Sequence, residues 1–266
     1  MSRPDGGGDG QALPPGAAAG IPPGPARDGA APPRAVIFDF DGVIADTEGL
    51  HFETFARVLE EEGIRISGAD HDERFLGVND REGFRRAFAE KGREVSAREV
   101  DLLVARKSAY YRTRLGEVRL FPGAAELVEG LHRRCLLAIA SGGRGVEIDA
   151  VLRAHELRDR FLAILSADEV ALSKPSPEPY LKALERLRGS PPGPASDLAA
   201  RDCLVIEDSI FGIQAALAAG MRCLAIAHTF PREKLAAADR VVEKLSELSA
   251  EDLLGPTGRL PPSGDH

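Results

Sequence analysis

The chain has 266 residues, of which 43% are hydrophobic, and its formal net charge at pH 7 is −8. This length leaves room for one large domain or two modest ones. The acidic balance argues against a nucleic-acid partner, which needs a basic patch. No apolar run approaches 18 residues, so the sequence predicts no membrane-spanning helix and no membrane partner.

Both ends of the chain are predicted to be disordered tails. Residues 1–33 consist mainly of Gly, Pro and Ala, and they hold too few large apolar side chains to offset the entropy lost on ordering. They also lack the continuous apolar segment of a secretory signal. Residues 255–266 have the composition of a frayed terminus.

The first predicted strand is Arg34–Phe40, an apolar run that carries Asp39 and leads directly into Asp41. In a continuing strand these two carboxylates would face the same side, and Gly42 would then permit a tight turn. The carboxyl end of a buried parallel strand borders the crevice in which open α/β sheets bind ligands. The alternative interpretation is a solvated acidic turn after a strand.

Residues 48–119 show helical spacing of apolar side chains and no strand signal. The predicted helices run from about Glu48 to Gly63, from about Arg81 to Lys91, and from Ser96 through Tyr111. This region is predicted to be a small helical domain inserted into an α/β core formed by residues 34–47 and 120–254.

The remainder of the chain alternates strand and helix signals, which is typical of an α/β fold with a mostly parallel sheet and helices on both faces. The predicted strands are Cys135–Ala140, Phe161–Leu165, Cys203–Ile206, Cys223–Ala227 and Arg240–Val242. The predicted helices are Ala124–Arg133, Val146–His155, Pro177–Arg188, Ile210–Ala219, Arg232–Ala237 and a short one near Ser246–Leu254.

Cys135, Cys203 and Cys223 each lie in or beside an apolar run. This placement is typical of buried thiols in a reducing compartment, so we expect a cytoplasmic protein. Their spacing does not indicate a zinc site. The sequence does not decide the oligomeric state, and we favour a monomer.

Polar groups recur where the predicted strands end. Ser141-Gly142-Gly143 follows one strand, and a hydroxyl before two glycines lets backbone N–H groups approach an anion, although the same triplet is also ordinary turn chemistry. Lys174 lies on a loop that Pro175 and Pro177 stiffen before a helix begins. A solvated lysine is the alternative there.

Glu207 and Asp208 follow another strand, so four carboxylates, with Asp39 and Asp41, are expected to converge at one edge of the sheet. Such a cluster repels itself unless a cation joins the groups. Oxygen ligands without His or Cys favour Mg²⁺. The sequence therefore predicts a magnesium site.

These elements, in this order, resemble the haloacid dehalogenase-like superfamily, over about residues 35–243. The helix region Gly212–Met221 is similar to the one after the last acidic motif in small-cap members, and Asp46, Thr47 and His51 match the branch of β-phosphoglucomutase and phosphoglycolate or sugar-phosphate phosphatases. The resemblance implies a Rossmann-like sheet with a helical cap inserted after the first strand. It also implies a small phosphorylated metabolite as substrate.

The resemblance further implies roles for individual residues. Asp39 would attack phosphorus and form an aspartyl-phosphate, and Asp41 would act as general acid and then general base. Ser141 and Lys174 would bind the oxygens of the transferring phosphoryl group. Mg²⁺ would be bound by Asp39, the Asp41 carbonyl and Asp208, with Glu207 in contact with the ion or just behind it.

Three other functions remain open: a phosphosugar mutase, a hydrolytic dehalogenase of the same fold, and a catalytically idle binding protein. A halide leaving group needs neither a proton nor a metal, so the intact acidic set favours the phosphatase over the dehalogenase.

Mutases of the branch bind a second phosphate with a cap loop of the pattern Lys-Gly-x-Ser-Arg. The matching residues here are Leu76-Gly77-Val78-Asn79-Asp80, although Arg81 or Arg74 could substitute. We therefore favour a phosphatase.

Overall fold

The computed structural model describes residues 31–75, 78–189 and 195–255. The predicted tails lie almost wholly outside these ranges, as do Leu76 and Gly77 of the cap loop. Among the described helices, none combines the length and the apolar character needed to cross a membrane.

The described strands form two sheets. The strands are β1 (Ala35–Phe38), β2 (Ala45–Asp46), β3 (Arg119–Leu120), β4 (Leu136–Ala140), β5 (Ala163–Leu165), β6 (Cys203–Glu207), β7 (Arg222–Ile226) and β8 (Arg240–Val242). Six of them make one sheet in the order β5-β4-β1-β6-β7-β8, and every neighbouring pair is parallel. The remaining two, β2 and β3, form a short antiparallel pair.

The α-helices described in the structure are α1 (Glu48–Glu61), α2 (Gly68–Arg74), α3 (Asp80–Ala89), α4 (Ala97–Thr113), α5 (Ala124–Leu131), α6 (Gly145–Ala154), α7 (Glu178–Gly189), α8 (Ile210–Ala218) and α9 (Ala250–Leu254). Helices cover both faces of the large sheet. Val36 and Phe38 of β1 belong to the apolar cluster that includes α5 and α6, whereas Ala35 and Ile37 belong to the cluster that includes α7 and α8. This is the parallel α/β sheet that the sequence predicts, because a strand buried on both faces is apolar throughout.

A third apolar cluster is built by α1, α3 and α4, with Ile64 and Phe75 from either side of α2, and it is distinct from the two sheet clusters. Its members include Phe55, Val58, Phe84 and Phe88, and its aromatic rings pack closely, with the centroids of Phe55 and Phe84 4.7 Å apart. The short β2–β3 pair stands where the chain enters and leaves this region, with Ala45 opposite Leu120. We propose on these grounds that residues 48–119 are the inserted cap domain.

The structure differs from the predicted elements in several places, among them the unpredicted strands β2 and β3. Strand β1 ends at Phe38 rather than Phe40, because the chain turns back so that the backbone N–H groups of Ile44 and Ala45 donate to the Phe40 carbonyl. Helix α2 was not predicted, since its seven residues are polar and show no apolar period. The stretch predicted as Arg232–Ala237 is a short 3₁₀ helix, Arg232–Leu235.

Candidate active site

The carboxyl ends of three adjacent strands bring the predicted acidic and hydroxyl groups together. Asp39 follows β1, Ser141 follows β4, and Glu207 and Asp208 lie at the end of β6. Both flanking strands pair with β1, and the Asp39 backbone N–H still donates to the Ile206 carbonyl at 2.9 Å. The central position of β1 therefore places Asp39 in the middle of the crevice.

Asp39 is buried, with 12% of its side chain exposed. The Lys174 ammonium forms an ion pair with Asp39 Oδ1 at 3.0 Å, and apart from this contact the oxygen has no hydrogen-bond partner among the described residues. Burial raises the pKa of Asp39 to about 7; the Lys174 charge opposes the shift, and the charges of Glu207 and Asp41 add to it. A carboxylate has about four lone-pair positions, so the ion pair with Lys174 leaves others available to a metal cation or an electrophile.

Lys174 is held between two carboxylates. Its ammonium donates to Glu207 Oε1 at 2.6 Å and faces Asp39 on the other side. Burial lowers the pKa of Lys174, but the two carboxylates outweigh burial and raise it, so the side chain stays charged. Its loop is tied down by Glu178, whose carboxylate accepts the backbone N–H groups of Ala171 and Leu172, both at 2.8 Å.

Glu207 is fully buried, and both of its carboxylate oxygens are occupied. Oε1 accepts from Lys174 and from the Tyr180 hydroxyl at 2.7 Å, and Oε2 accepts the backbone N–H groups of Asp208 and Ser209, both at 2.9 Å, and the Ser209 hydroxyl. These five donors leave little capacity for a metal ion. The arrangement suits a residue that positions Lys174 and the turn carrying Asp208.

Asp208 is the carboxylate best placed to hold a cation together with Asp39. Oxygens of Asp39, Glu207 and Asp208 lie within 4.8 Å of one another, and burial, followed by the charges of Glu207 and Asp39, raises the pKa of Asp208 well above its usual range. Gly42 makes room for this side chain, because a Cβ atom at Gly42 would lie 2.0 Å from Asp208 Oδ2. Thr229 donates its hydroxyl to the same oxygen.

The residues present fit a hard divalent cation. The donor set is entirely oxygen, its like charges are buried together, and Lys174 is the one partner of Asp39 Oδ1 within the described part of the chain. Mg²⁺ prefers such ligands, and a cation lowers the cost of burying adjacent carboxylates.

Asp41 lies at the junction between the α/β core and the helical region. Its carboxylate accepts from the Thr47 hydroxyl at 2.6 Å and from Ser141 Oγ at 3.3 Å, and His51 Nε2 lies 3.6 Å away. Burial would raise the pKa of Asp41, but these three groups, His51 foremost, hold it below its usual value. The Gly143 N–H donates to Ser141 Oγ at 2.9 Å, which fixes the predicted phosphate loop.

One functional candidate from the helical region, Lys107, was not predicted. Lys107 of α4 is buried, its ammonium lies 3.1 Å from His51 Nδ1, and it also donates to Asp80. The His51 ring stacks on Tyr111 with centroids 4.5 Å apart. A polar chain thus runs from Asp80 through Lys107 and His51 to Asp41. A single lysine in a helical pattern carries no signal of such a role.

The two arginines that could have replaced a phosphate clamp are paired with acids of the helical region itself. Arg81 contacts Asp101, and Arg74 contacts Asp70 and Glu90. Leu76 and Gly77 lie outside the described residues. Within the described part of the loop, Asp80 accepts from Lys107 and is not a cation.

Comparison with known proteins agrees with this geometry. A family model described as haloacid dehalogenase-like hydrolase matches residues 36–226, well over half of the chain. The chain belongs to the haloacid dehalogenase-like hydrolases. Membership confirms the resemblance drawn from the motifs and the class of enzyme they predict.

Several curated proteins are similar to the chain. Protein CbbY of Cupriavidus necator is 35% identical over 215 residues, 74% of this chain and 79% of that protein. The phosphorylated carbohydrates phosphatase of Thermotoga maritima is 32% identical over 205 residues, covering 74% and 86%. The β-phosphoglucomutase of Bacillus subtilis is 31% identical over 224 residues, covering 82% and 92%.

Solved structures of haloacid dehalogenase-like hydrolases share the fold. CbbY from Rhodobacter sphaeroides in complex with phosphate has a TM-score of 0.70, is 27% identical, and covers 81% of this chain and 96% of the solved one. A mutant of the same protein in complex with xylulose-(1,5)bisphosphate has a TM-score of 0.71 with the same identity and coverage. The Rossmann-like parallel sheet predicted from the sequence is confirmed.

Proposed function

We propose that the protein is a Mg²⁺-dependent phosphatase that hydrolyses a small phosphorylated metabolite through an aspartyl-phosphate on Asp39. One observation carries the proposal. The Asp39 carboxylate is buried at the centre of the crevice, and its Oδ1 forms an ion pair with Lys174 and has no other partner among the described residues. A nucleophile needs a free lone pair, and a carboxylate can attack a phosphate only where positive charge lowers their repulsion.

In the first step an Asp39 oxygen attacks phosphorus, and the bond from phosphorus to the leaving oxygen breaks. Asp41 supplies the proton that the leaving alkoxide requires. The contacts with His51, Thr47 and Ser141 keep the pKa of Asp41 low. A phosphate dianion beside Asp41 raises that pKa, because a like charge disfavours the ionised carboxylate.

In the second step water attacks the phosphorus of the aspartyl-phosphate, and Asp41, now ionised, removes the proton of that water. Inorganic phosphate leaves, and Asp39 is restored. The hydroxyls of Thr47 and Ser141, together with His51, stabilise the ionised state that this step needs.

The phosphoryl oxygens are bound from two sides. Ser141 and the backbone of Gly142 and Gly143 face the crevice from the end of β4, and a Cβ atom built at Gly142 would meet no atom within 4 Å, so the backbone there is open to a ligand. Lys174 contributes a fixed positive charge from the opposite loop. Phosphoryl transfer depends mainly on such positioning and charge neutralisation.

The metal would be held by Asp39, Asp208 and the Asp41 carbonyl, with Glu207 behind them. When bound, Mg²⁺ supplies positive charge that neutralises the phosphate during transfer. We place Glu207 behind the metal ligands because five hydrogen-bond donors already occupy its carboxylate oxygens. Asp208 is oriented by the Thr229 hydroxyl and by the space above Gly42.

The substrate class follows from the relatives named above together with the cap. Those relatives include a phosphatase of phosphorylated carbohydrates and a β-phosphoglucomutase, so a sugar phosphate or a similar small phosphate is the proposed substrate. Hydrolysis is favoured over the mutase alternative because Asp80 stands where a mutase has the last residue of its phosphate clamp, and the nearby lysine, Lys107, is neutralised by it.

The experiment is a phosphate-release assay on a panel of phosphorylated metabolites, with p-nitrophenyl phosphate as a general probe and xylulose 1,5-bisphosphate included. We expect release that requires Mg²⁺, that stops in EDTA and that is lost in Asp39→Asn. Exposed Asp159 provides the matched control, since Asp159→Asn should retain full activity. Ordinary turnover by Asp39→Asn, or by wild type in EDTA, would overturn the proposal.

A further inference from the structure

A second buried polar cluster joins the helical region to the α/β core outside the acidic crevice. The Ser108 hydroxyl of α4 donates to Glu147 Oε1 of α6 at 2.5 Å, and Arg144 Nη1 donates to the same hydroxyl at 3.0 Å. Ser108 is 6% exposed and Glu147 8% exposed. A buried carboxylate is costly unless it is hydrogen-bonded, so this contact strongly favours one position of α4 on α6.

Each end of this cluster is adjacent in the chain to a part of the proposed active site. Ser108 follows Lys107, whose ammonium contacts His51, and His51 in turn faces Asp41. Arg144 directly follows the Ser141-Gly142-Gly143 loop, and Glu147 lies in the first turn of the helix that this loop begins. The cluster therefore connects the proposed phosphate loop with α4, whose Lys107 contacts His51, the residue that faces the general acid.

We infer that Glu147 is a positioning residue for the general acid–base group. By accepting the Ser108 hydroxyl it holds α4 where Lys107 and His51 support Asp41. The inference rests on the proposed function, because the support of Asp41 matters only if Asp41 protonates a leaving oxygen.

The consequence depends on the leaving group. An alkoxide from a sugar phosphate needs the proton that Asp41 supplies, whereas p-nitrophenolate leaves readily without one. Loss of the contact between Ser108 and Glu147 should therefore lower kcat/KM for an alkyl phosphate more than for p-nitrophenyl phosphate. A purely structural contact would lower both equally.

The test compares kcat/KM for fructose 1-phosphate and for p-nitrophenyl phosphate in Glu147→Ala, Ser108→Ala, the double variant and Glu147→Gln. In each alanine variant we expect kcat/KM for the alkyl phosphate to fall about tenfold more than kcat/KM for the aryl phosphate. This difference is a part of what a general acid contributes. The double variant should lose no more than either single one, because both remove the same contact. Glu147→Gln should approach wild type, since its amide oxygen still accepts the hydroxyl.

The control is Glu126→Ala, which removes an exposed glutamate from the first turn of α5 and should change neither value. The inference would be overturned if kcat/KM fell equally for the two substrates or did not fall for either. It would also be overturned if the two single-variant losses of kcat/KM multiplied in the double variant. If wild type releases phosphate from neither substrate, the proposed function has failed instead. Amide exchange of residues 97–113 then decides whether the contact holds α4: faster exchange in both alanine variants supports it, and unchanged exchange contradicts it.

Discussion

Replacing the proposed nucleophile should stabilise the metal-free protein, and the gain should depend on pH. The pKa of Asp39 is about 7 in the folded protein, against 3.8 as its ordinary value, mainly because of burial. A carboxyl whose pKa is raised by folding contributes full stability below its unfolded pKa, and this stability is lost as the pH rises towards the folded value. Asp39→Asn keeps the shape and removes the charge.

The size of the effect follows from the two pKa values. Each unit of difference corresponds to about 1.4 kcal/mol, so Asp39→Asn should raise the free energy of unfolding by up to about 4 kcal/mol above pH 7. The gain should shrink as the pH falls and vanish only below the unfolded pKa of 3.8, where Asp39 is largely protonated in both states. For a protein of this size about 4 kcal/mol corresponds to roughly 10 °C in Tm.

The assay is urea unfolding in EDTA at several pH values between 4 and 8, with Asp159→Asn as the exposed control. Saturating Mg²⁺ should reduce or reverse the difference, because a cation favours the ionised carboxylate and binds wild type more tightly. A stability of Asp39→Asn equal to or below that of wild type at pH 8 in EDTA would refute the reasoning.

Three further outcomes are expected. Gly42→Ala should abolish Mg²⁺ binding by calorimetry, because its Cβ would overlap Asp208, whereas Gly63→Ala, which has the same φ of 78° and no atom within 4 Å of its Cβ, should cost only about 1 kcal/mol of stability and keep full affinity. Weak binding by both variants would show that backbone strain, not the overlap, is responsible. Ca²⁺ should inhibit, because it takes more ligands at longer distances than Mg²⁺, and full activity with Ca²⁺ alone would contradict the proposed site. Supplied with β-glucose 1-phosphate and a trace of glucose 1,6-bisphosphate, the enzyme should release phosphate slowly without accumulating glucose 6-phosphate, and rapid isomerisation would favour the mutase instead.

The parts of the fold that could be predicted are those whose signal is local. The strand Leu136–Ala140 and the helix Ile210–Ala218 lie within two residues of their predicted bounds, because buried parallel strands and amphipathic or apolar helices each leave a distinct pattern. The residues of the proposed site could also be predicted, since a parallel sheet brings the carboxyl ends of its strands to one edge. Of the four carboxylates expected to converge, Asp39, Glu207 and Asp208 have oxygens within 4.8 Å of one another. The fourth, Asp41, instead contacts Thr47, Ser141 and His51.

What could not be predicted depends on contacts between distant parts of the chain. Lys107 meets Asp80 and His51, and Ser108 meets Glu147, only because α4 packs across the junction of the two regions. No spacing in the sequence encodes these pairs. The strands β2 and β3 have two residues each, which is too few to show the alternating pattern of a strand, so their pairing could not be predicted either.

The central claim is that phosphate passes through a covalent bond to Asp39, and a rapid-quench experiment tests it most directly. Wild type is mixed with Mg²⁺ and excess p-nitrophenyl phosphate, quenched in acid within the first turnover, and digested for peptide mass spectrometry. We expect the peptide that contains Asp39 to carry one phosphoryl group transiently, and the same peptide of Asp41→Asn to retain it, because the base that activates water is missing. Release of phosphate with Asp39 unmodified at every time point, or modification of another residue, would contradict the account.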